Sequence, residues 1–315
     1  MKRILLVKTS SLGDVVHNLP VVNDIRARNP GARIDWVVEE AYAPVVALHP
    51  GVHRALPVAI RRWRRQLLGR ATWDEIGAFR RHLRMERYDL VIDTQGLVKS
   101  ALVAAGVQGE HHGFDARSAR EPLAARFYDR CHHVPRDEHA VTRNRLLVGA
   151  ALGHRPTWQV DYGLAPAAAG TGGPGYAVLL HATSRADKLW PEQHWVSLAR
   201  ALAPLEVVLP HGNEQERERS LRLARDIPGA RVPERLPVGA MCALLAGARC
   251  VVGVDTGLTH LAAALGVAVA AVYTATDPAL TGVYGAARAT NLGGIGACPA
   301  SGDVVLALRA LAALD

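Results

Sequence analysis

Aromatic residues are scarce in this chain: Phe, Trp and Tyr together make up 5% of its 315 residues. A protein that holds single-stranded nucleic acid by stacking bases needs such rings among its basic residues. Only Trp63 and Trp73 lie near an arginine cluster, so no nucleic-acid partner is expected. Cysteine is scarcer still. Cys131, Cys242, Cys250 and Cys298 show no C-x-x-C spacing, which argues against a zinc site and a disulfide framework. They read as reduced, mostly buried thiols of a cytosolic protein. Long apolar runs are missing. The best one, 251–273, is interrupted by Asp255, His260 and several glycines and reads as strand–helix–strand, not as a membrane span. No secretory signal is visible, because Met1-Lys2-Arg3 leads straight into a short strand. Also missing is the glycine-rich dinucleotide fingerprint expected in a first strand-to-helix turn. The turn here, Lys8-Thr9-Ser10-Ser11-Leu12-Gly13-Asp14, carries one glycine, a lysine and an aspartate. It predicts a Rossmann-like unit that does not bind NAD and that could hold a catalytic base.

What is abundant is arginine, and it is unevenly spread. The net charge is +8; residues 1–160 hold 25 Lys+Arg against 16 Asp+Glu, and residues 161–315 hold 12 against 13. The basic first half predicts an anionic partner, whether nucleic acid, acidic lipid or a phosphorylated substrate. A general preference for Arg over Lys is the plainer account.

Strand and helix patterns alternate throughout. Strands are predicted at 4–7, 34–38, 54–58, 90–93 and 112–114, and helices at 15–28, 41–48, 74–86, 98–105 and 139–152. A Pro/Gly-rich stretch at 165–175 reads as a linker between domains 1–164 and 176–315. A second series follows, with strands at 177–181, 206–209, 230–232, 250–254 and 268–273. Its helices are expected at 191–202, 214–225, 238–246 and 256–265. A final helix, 304–313, could pack back on the first domain. The order is α/β twice over, and two Rossmann-like, doubly wound domains facing a central cleft are the expected architecture.

Three strand ends in the second half carry nucleotide-compatible chemistry. Asp255-Thr256-Gly257-Leu258-Thr259-His260 places a helix N-terminus after a buried strand, which favours an anion. Asp255 or Thr256 as a plain N-cap accounts for the same residues. Thr183, Ser184 and Lys188 offer two hydroxyls and an ammonium to a diphosphate without metal, or simply form a polar loop. Glu216, in 210–216, could take ribose hydroxyls or favour a first helical turn. Together they predict a nucleotide-diphosphate site. In the first half, 60–65 (IRRWRR) is a dense basic loop suited to phosphate or carboxylate. Arg117, Arg120, Arg143 and Arg145 join it if loops converge. His111-His112 and His132-His133 point apart on a strand and are not read as metal ligands. Asp14 reads equally well as the N-cap of a helix from Val15 and as a general base.

Six segments in order resemble the lipopolysaccharide heptosyltransferases of glycosyltransferase family 9: 7–14 (VKTSSLGD), 36–40 (WVVEE), 57–64 (PVAIRRWR), 93–100 (DTQGLVKS), 119–124 (AREPLA) and 254–261 (VDTGLTHL). The second and third favour the heptosyltransferase I branch over II or III. The resemblance implies a GT-B fold and transfer of L-glycero-D-manno-heptose from ADP-heptose (ADP-L-glycero-β-D-manno-heptose) to the inner Kdo of Kdo2-lipid A. Transfer would proceed with inversion, without metal or cofactor. It matches Asp14 to the family's base, and Thr183, Ser184 and Lys188 to diphosphate positions. Glu216 matches a ribose position, Leu236 a nucleoside-pocket position, and Asp255, Thr256, Gly257 and His260 the heptose- and phosphate-binding turn. Lys8, Arg61, Arg62, Arg64, Arg120 and Arg143 are the acceptor candidates. The implied protein is a monomer, peripheral on the cytoplasmic face of an anionic inner membrane. The competing readings are a heptosyltransferase II-like or UDP-sugar-epimerase-like GT-B protein, or a non-catalytic nucleotide-sugar binder.

Overall fold

The computed structural model describes residues 2–164 and 175–314; the expected linker therefore lies, apart from Gly175, outside the described residues. The chain divides into two compact units, Met1–Gly163 and Leu164–Asp315.

The first unit is built on six parallel strands: β1 (Arg3–Val7), β2 (Arg33–Glu39), β3 (Arg54–Val58), β4 (Arg87–Asp93), β5 (Gln108–Phe114) and β6 (Arg130–His132), in the order β3-β2-β1-β4-β5-β6. Central β1 is apolar from Ile4 to Val7 and wholly buried, as a parallel strand covered on both faces must be. Its register sets Val7 beside Val37 on one side and Asp93 on the other, so the turns after β1 and β4 leave the sheet together.

The second unit has five parallel strands: β7 (Tyr176–Leu180), β8 (Glu206–Val208), β9 (Cys250–Val254), β10 (Ala268–Tyr273) and β11 (Ala289–Gly293), in the order β11-β10-β9-β7-β8. Trp190, Trp195 and Leu198 pack with Val252, Ala270 and the final helix residues Val304 and Leu308 in one apolar core. The final helix, Ser301–Ala310, sits against helix Glu192–Ala201 and β10 of this unit.

Several expectations are corrected. The helix expected at 15–28 is two, Leu12–Val16 and Pro20–Arg28, because Pro20 has no amide to continue the first and suits the opening of the second. The basic loop 60–65 contains a short helix, Ile60–Trp63. The strand expected at 230–232 is a single bridge, Val208 to Arg231. Two of the four free cysteines, Cys131 and Cys298, are exposed. No described helix is long and apolar enough to cross a membrane.

Candidate functional site

In the first sheet the strand order reverses between β1 and β4, and an open α/β sheet takes ligands beyond the carboxyl ends at such a point. The turns meeting there are tied together. Buried Lys8 donates through Nζ to the Thr94 carbonyl at 2.7 Å and to Asn144 Oδ1 at 3.3 Å. The buried Trp36 indole donates to the Lys8 carbonyl at 3.1 Å. Gln95 Oε1 accepts from the Thr9 amide at 2.6 Å and its hydroxyl at 2.8 Å. Asp93 fixes Gln95 in turn, accepting from the Gln95 amide and from the Ser100 and Tyr128 hydroxyls, each at 2.8 Å. Burial raises its pKa.

Asp14 is not the helix N-cap. Ser11 is, and Asp14 stands in the first turn of Leu12–Val16, where its Oδ2 accepts from the Ser11 amide at 2.8 Å and hydroxyl at 3.1 Å. Its Oδ1 accepts from Arg120 Nη2 at 2.6 Å. Burial opposes the carboxylate charge, but Lys8, Arg120 and the Ser11 amide outweigh burial and hold the group below its ordinary value. Burial pushes the Lys8 ammonium down to about 8, with Asp14 pulling the other way. Arg143 donates to the Ser118 carbonyl at 2.6 Å, with its guanidinium 5.1 Å over the Phe114 ring. Lys8, Asp14, Gln95, Arg120, Arg143 and Asn144 line one small polar pocket of about 20 Å³, room for a water or a hydroxyl.

The other acceptor candidates lie outside that lining. Arg62 is neutralised by Glu40 at 3.2 Å and Glu75 at 2.8 Å. Arg61 lies 5.1 Å over the Tyr42 ring, and the Tyr42 hydroxyl feels the charges of both Arg61 and Asp14. Arg64 is exposed. Arg145 does not join the cluster; it forms a buried ion pair with Asp24 at 2.7 Å that braces helix Ala140–Leu152 on Pro20–Arg28.

The second sheet reverses between β7 and β9. Lys188, after β7, donates to Asp255 Oδ2 at 2.7 Å, and the Thr276 hydroxyl donates to the same oxygen at 2.7 Å. Thr183 donates to the Asp255 carbonyl at 3.1 Å, and buried His260 stands 3.7 Å from Asp255 Oδ1. Burial would raise the Asp255 pKa, but His260, Lys188 and Thr276 outweigh it and lower it strongly. Asp255 is therefore an ion-pair and hydrogen-bond centre, not a cap. Thr256 holds the N-cap position of helix Gly257–Ala264 with no side-chain cap bond. The Gly257 amide, at the first position of this helix, has no intrahelical partner and suits an incoming anion. Ser184 is exposed nearby in sequence, and Leu236 is half-buried ahead of helix Val238–Ala246. Glu216 is partly committed: its carboxylate accepts from the Gly212 amide at 2.7 Å and Asn213 Nδ2 at 2.8 Å, while Asn213 caps its helix.

Sequence reasoning missed Gln95, Ser118, Asn144 and Thr276. Thr276 follows β10, so the strand-end rule used for its neighbours would have found it. Asn144 gave no signal, being 136 residues from Lys8. Among the described residues no group of three or more His, Cys, Asp and Glu is placed to hold a metal. One histidine of each adjacent pair meets the other across strands, His112 Nδ1 lying 2.9 Å from His132 Nε2.

Known proteins resemble this chain in sequence and in architecture. Residues 76–302 match the family "Glycosyltransferase family 9 (heptosyltransferase)". The lipopolysaccharide heptosyltransferase 1 of Escherichia coli K12 is 47% identical over 294 residues, covering 90% of this chain and 91% of that protein. The solved structure of E. coli heptosyltransferase WaaC with ADP superposes with TM-score 0.88 at 42% identity, covering 98% of this chain and 99% of that one. The same enzyme with ADP-2-deoxy-2-fluoro heptose gives TM-score 0.85 with the same coverage. Two parallel α/β sheets and these matches define a glycosyltransferase of the GT-B class. The chain belongs to glycosyltransferase family 9, the heptosyltransferases.

Proposed function

We propose that the protein transfers L-glycero-D-manno-heptose from ADP-heptose to the inner Kdo of Kdo2-lipid A, with inversion and without a metal, on the cytoplasmic face of the inner membrane. The observation that carries this reading is Asp14, a carboxylate kept ionised by Lys8 and Arg120 in a polar pocket at the first sheet's reversal point. The acceptor hydroxyl attacks the anomeric carbon of heptose, its proton passes to Asp14, and the bond from that carbon to the β-phosphate oxygen breaks. The departing ADP takes the electron pair. Lys188, the Thr183 and Ser184 hydroxyls and the Gly257 amide stabilise its charge, doing by preorganised dipoles what a metal does elsewhere. Thr256, Asp255 and His260 frame the sugar and phosphate, and Glu216 and Leu236 the nucleoside.

Arg120 and Lys8 have a second task. The acceptor brings a carboxylate, and a guanidinium shared between it and Asp14 holds Asp14 less tightly, raising its basicity towards the working pH. Arg143 completes the anion site, with Arg61 on its approach. Asp14→Asn tests the assignment: turnover should fall by about 10²–10⁴, with ADP-heptose binding by calorimetry unchanged. Retained turnover would remove Asp14 as the base.

A further inference from the structure

The segment after helix Ile60–Trp63, together with the start of helix Arg70–Arg84, combines features that the transfer reaction does not use. Leu67 is 50% exposed, Leu68 is 103% exposed and Trp73 is 58% exposed, all within seven residues. Single exposed apolar side chains are ordinary, but three so close together are not. The turn is built, not frayed. Gln66 donates to the Trp63 carbonyl at 3.0 Å, Gly69 to that of Gln66 at 2.9 Å and Thr72 to that of Gly69 at 3.1 Å. The Trp73 indole donates to the Leu67 carbonyl at 2.8 Å, tying the Leu67 backbone to the tryptophan. At the base of the turn Trp63 packs edge-on to Phe79 with centroids 6.0 Å apart and donates to Glu75 at 2.8 Å.

The charges around this apolar tip are equally selective. Arg62 is spent on Glu40 and Glu75. Arg64, Arg65 and Arg70 are exposed and have no ion partner among the described residues. Leucines with an indole at the tip and unpaired guanidiniums around the collar match the layers of an anionic lipid surface. Acyl boundary takes the leucines, the interface takes the indole, and phosphate takes the arginines.

We propose that the turn 64–73 is a membrane-docking element, inserting Leu67 and Leu68 into an anionic phospholipid surface while Arg64, Arg65 and Arg70 engage lipid phosphates. It rests on the reading of a lipid-linked acceptor but concerns the bilayer's own lipids, so the two can fail separately. The experiment sediments the full chain with acceptor-free vesicles of phosphatidylethanolamine and phosphatidylglycerol, and with vesicles of phosphatidylcholine alone. The expected result is sedimentation with the anionic vesicles only, weakened by salt. Leu67→Gln with Leu68→Gln should lower the bound fraction at least about tenfold, and Arg65→Gln with Arg70→Gln should remove the preference for anionic lipid. Turnover on a water-soluble deacylated acceptor and the Tm should stay at wild-type levels in the leucine variant, since both side chains are exposed. Wild-type binding by the leucine variant overturns the proposal. So does sedimentation only when the acceptor is in the vesicle, because the turn would then read the acceptor and not the bilayer. Absent turnover on the soluble acceptor with vesicle binding intact would sink the transfer reading and leave the docking element standing.

Discussion

Lys8 is a buried side chain whose charge depends on its surroundings. It sits between the Thr94 carbonyl, Asn144 and the Asp14 field, and burial brings its ammonium down to about 8. If it receives the acceptor's carboxylate, that affinity should fade as the pH rises through about 8. The acceptor KM should rise over this range while the donor KM stays level. Lys8→Arg, which keeps its charge, should remove that rise; an acceptor KM flat to pH 9 in the wild type would exclude Lys8 from acceptor binding. The stability consequence has the opposite sense. Its folded pKa lies below the unfolded one, so the unfolded chain holds more protons between the two, and Lys8 makes stability rise with pH from about 8 upward. Asp14 and Asp255, both lowered, add stability above the unfolded carboxylate range that is lost as pH falls through their folded values. At this scale the sequence pointed to Asp14 and the Asp255 turn but not to their partners. Arg120 lies 106 positions from Asp14, and no local pattern joins them.

Glycine at β9 shows how an element carries the site. A Cβ on Gly253 would come within 2.1 Å of Thr259 Oγ1 and 3.1 Å of the Leu180 side chain. Thr259 is buried on helix Gly257–Ala264 and donates to the Val254 carbonyl at 2.8 Å. The glycine therefore lets this helix lie close to its strand and aims its first turn. Gly253→Ala should destabilise the fold by about 1–3 kcal/mol through overpacking, seen as a lower Tm. It should also raise the donor KM more than the acceptor KM; equal changes in both would deny the helix a donor-specific role. Elements with strong patterns were legible: the apolar runs of β1, β9 and β10 and the helix Val238–Ala246 stand where expected. Weaker ones were not. β6 has three residues and β11 is only half-buried, so neither shows the apolar run that marks a central strand. The short helix Leu12–Val16 was hidden because its turn reads as polar loop.

The whole molecule divides its chemistry as it divides its charge. The first unit's basic excess surrounds Asp14 and the exposed turn beyond Arg64, and the near-neutral second unit carries the Asp255 cluster. If the second unit supplies its charge stabilisation from Lys188 and fixed dipoles, EDTA should leave turnover unchanged, and a loss restored by Mg²⁺ would overturn the metal-free reading. ADP-heptose at about a hundred times its Kd should stabilise the protein by about 2.7 kcal/mol, raising its Tm, whereas a UDP-sugar at the same concentration should not. By itself the sequence determined two α/β series, an uneven charge, and the strand ends where polar chemistry clusters. Those follow from local periodicity and composition, which neighbouring residues encode. Only the tertiary structure decided that Lys8 meets Thr94 and Asn144, that Arg120 holds Asp14, that Thr276 joins Lys188 on Asp255, and that Arg145 serves the core. Parallel strands pair across long crossovers, so side chains a hundred residues apart become neighbours at the sheet edge. The energy of those contacts depends on burial and geometry that no short segment contains.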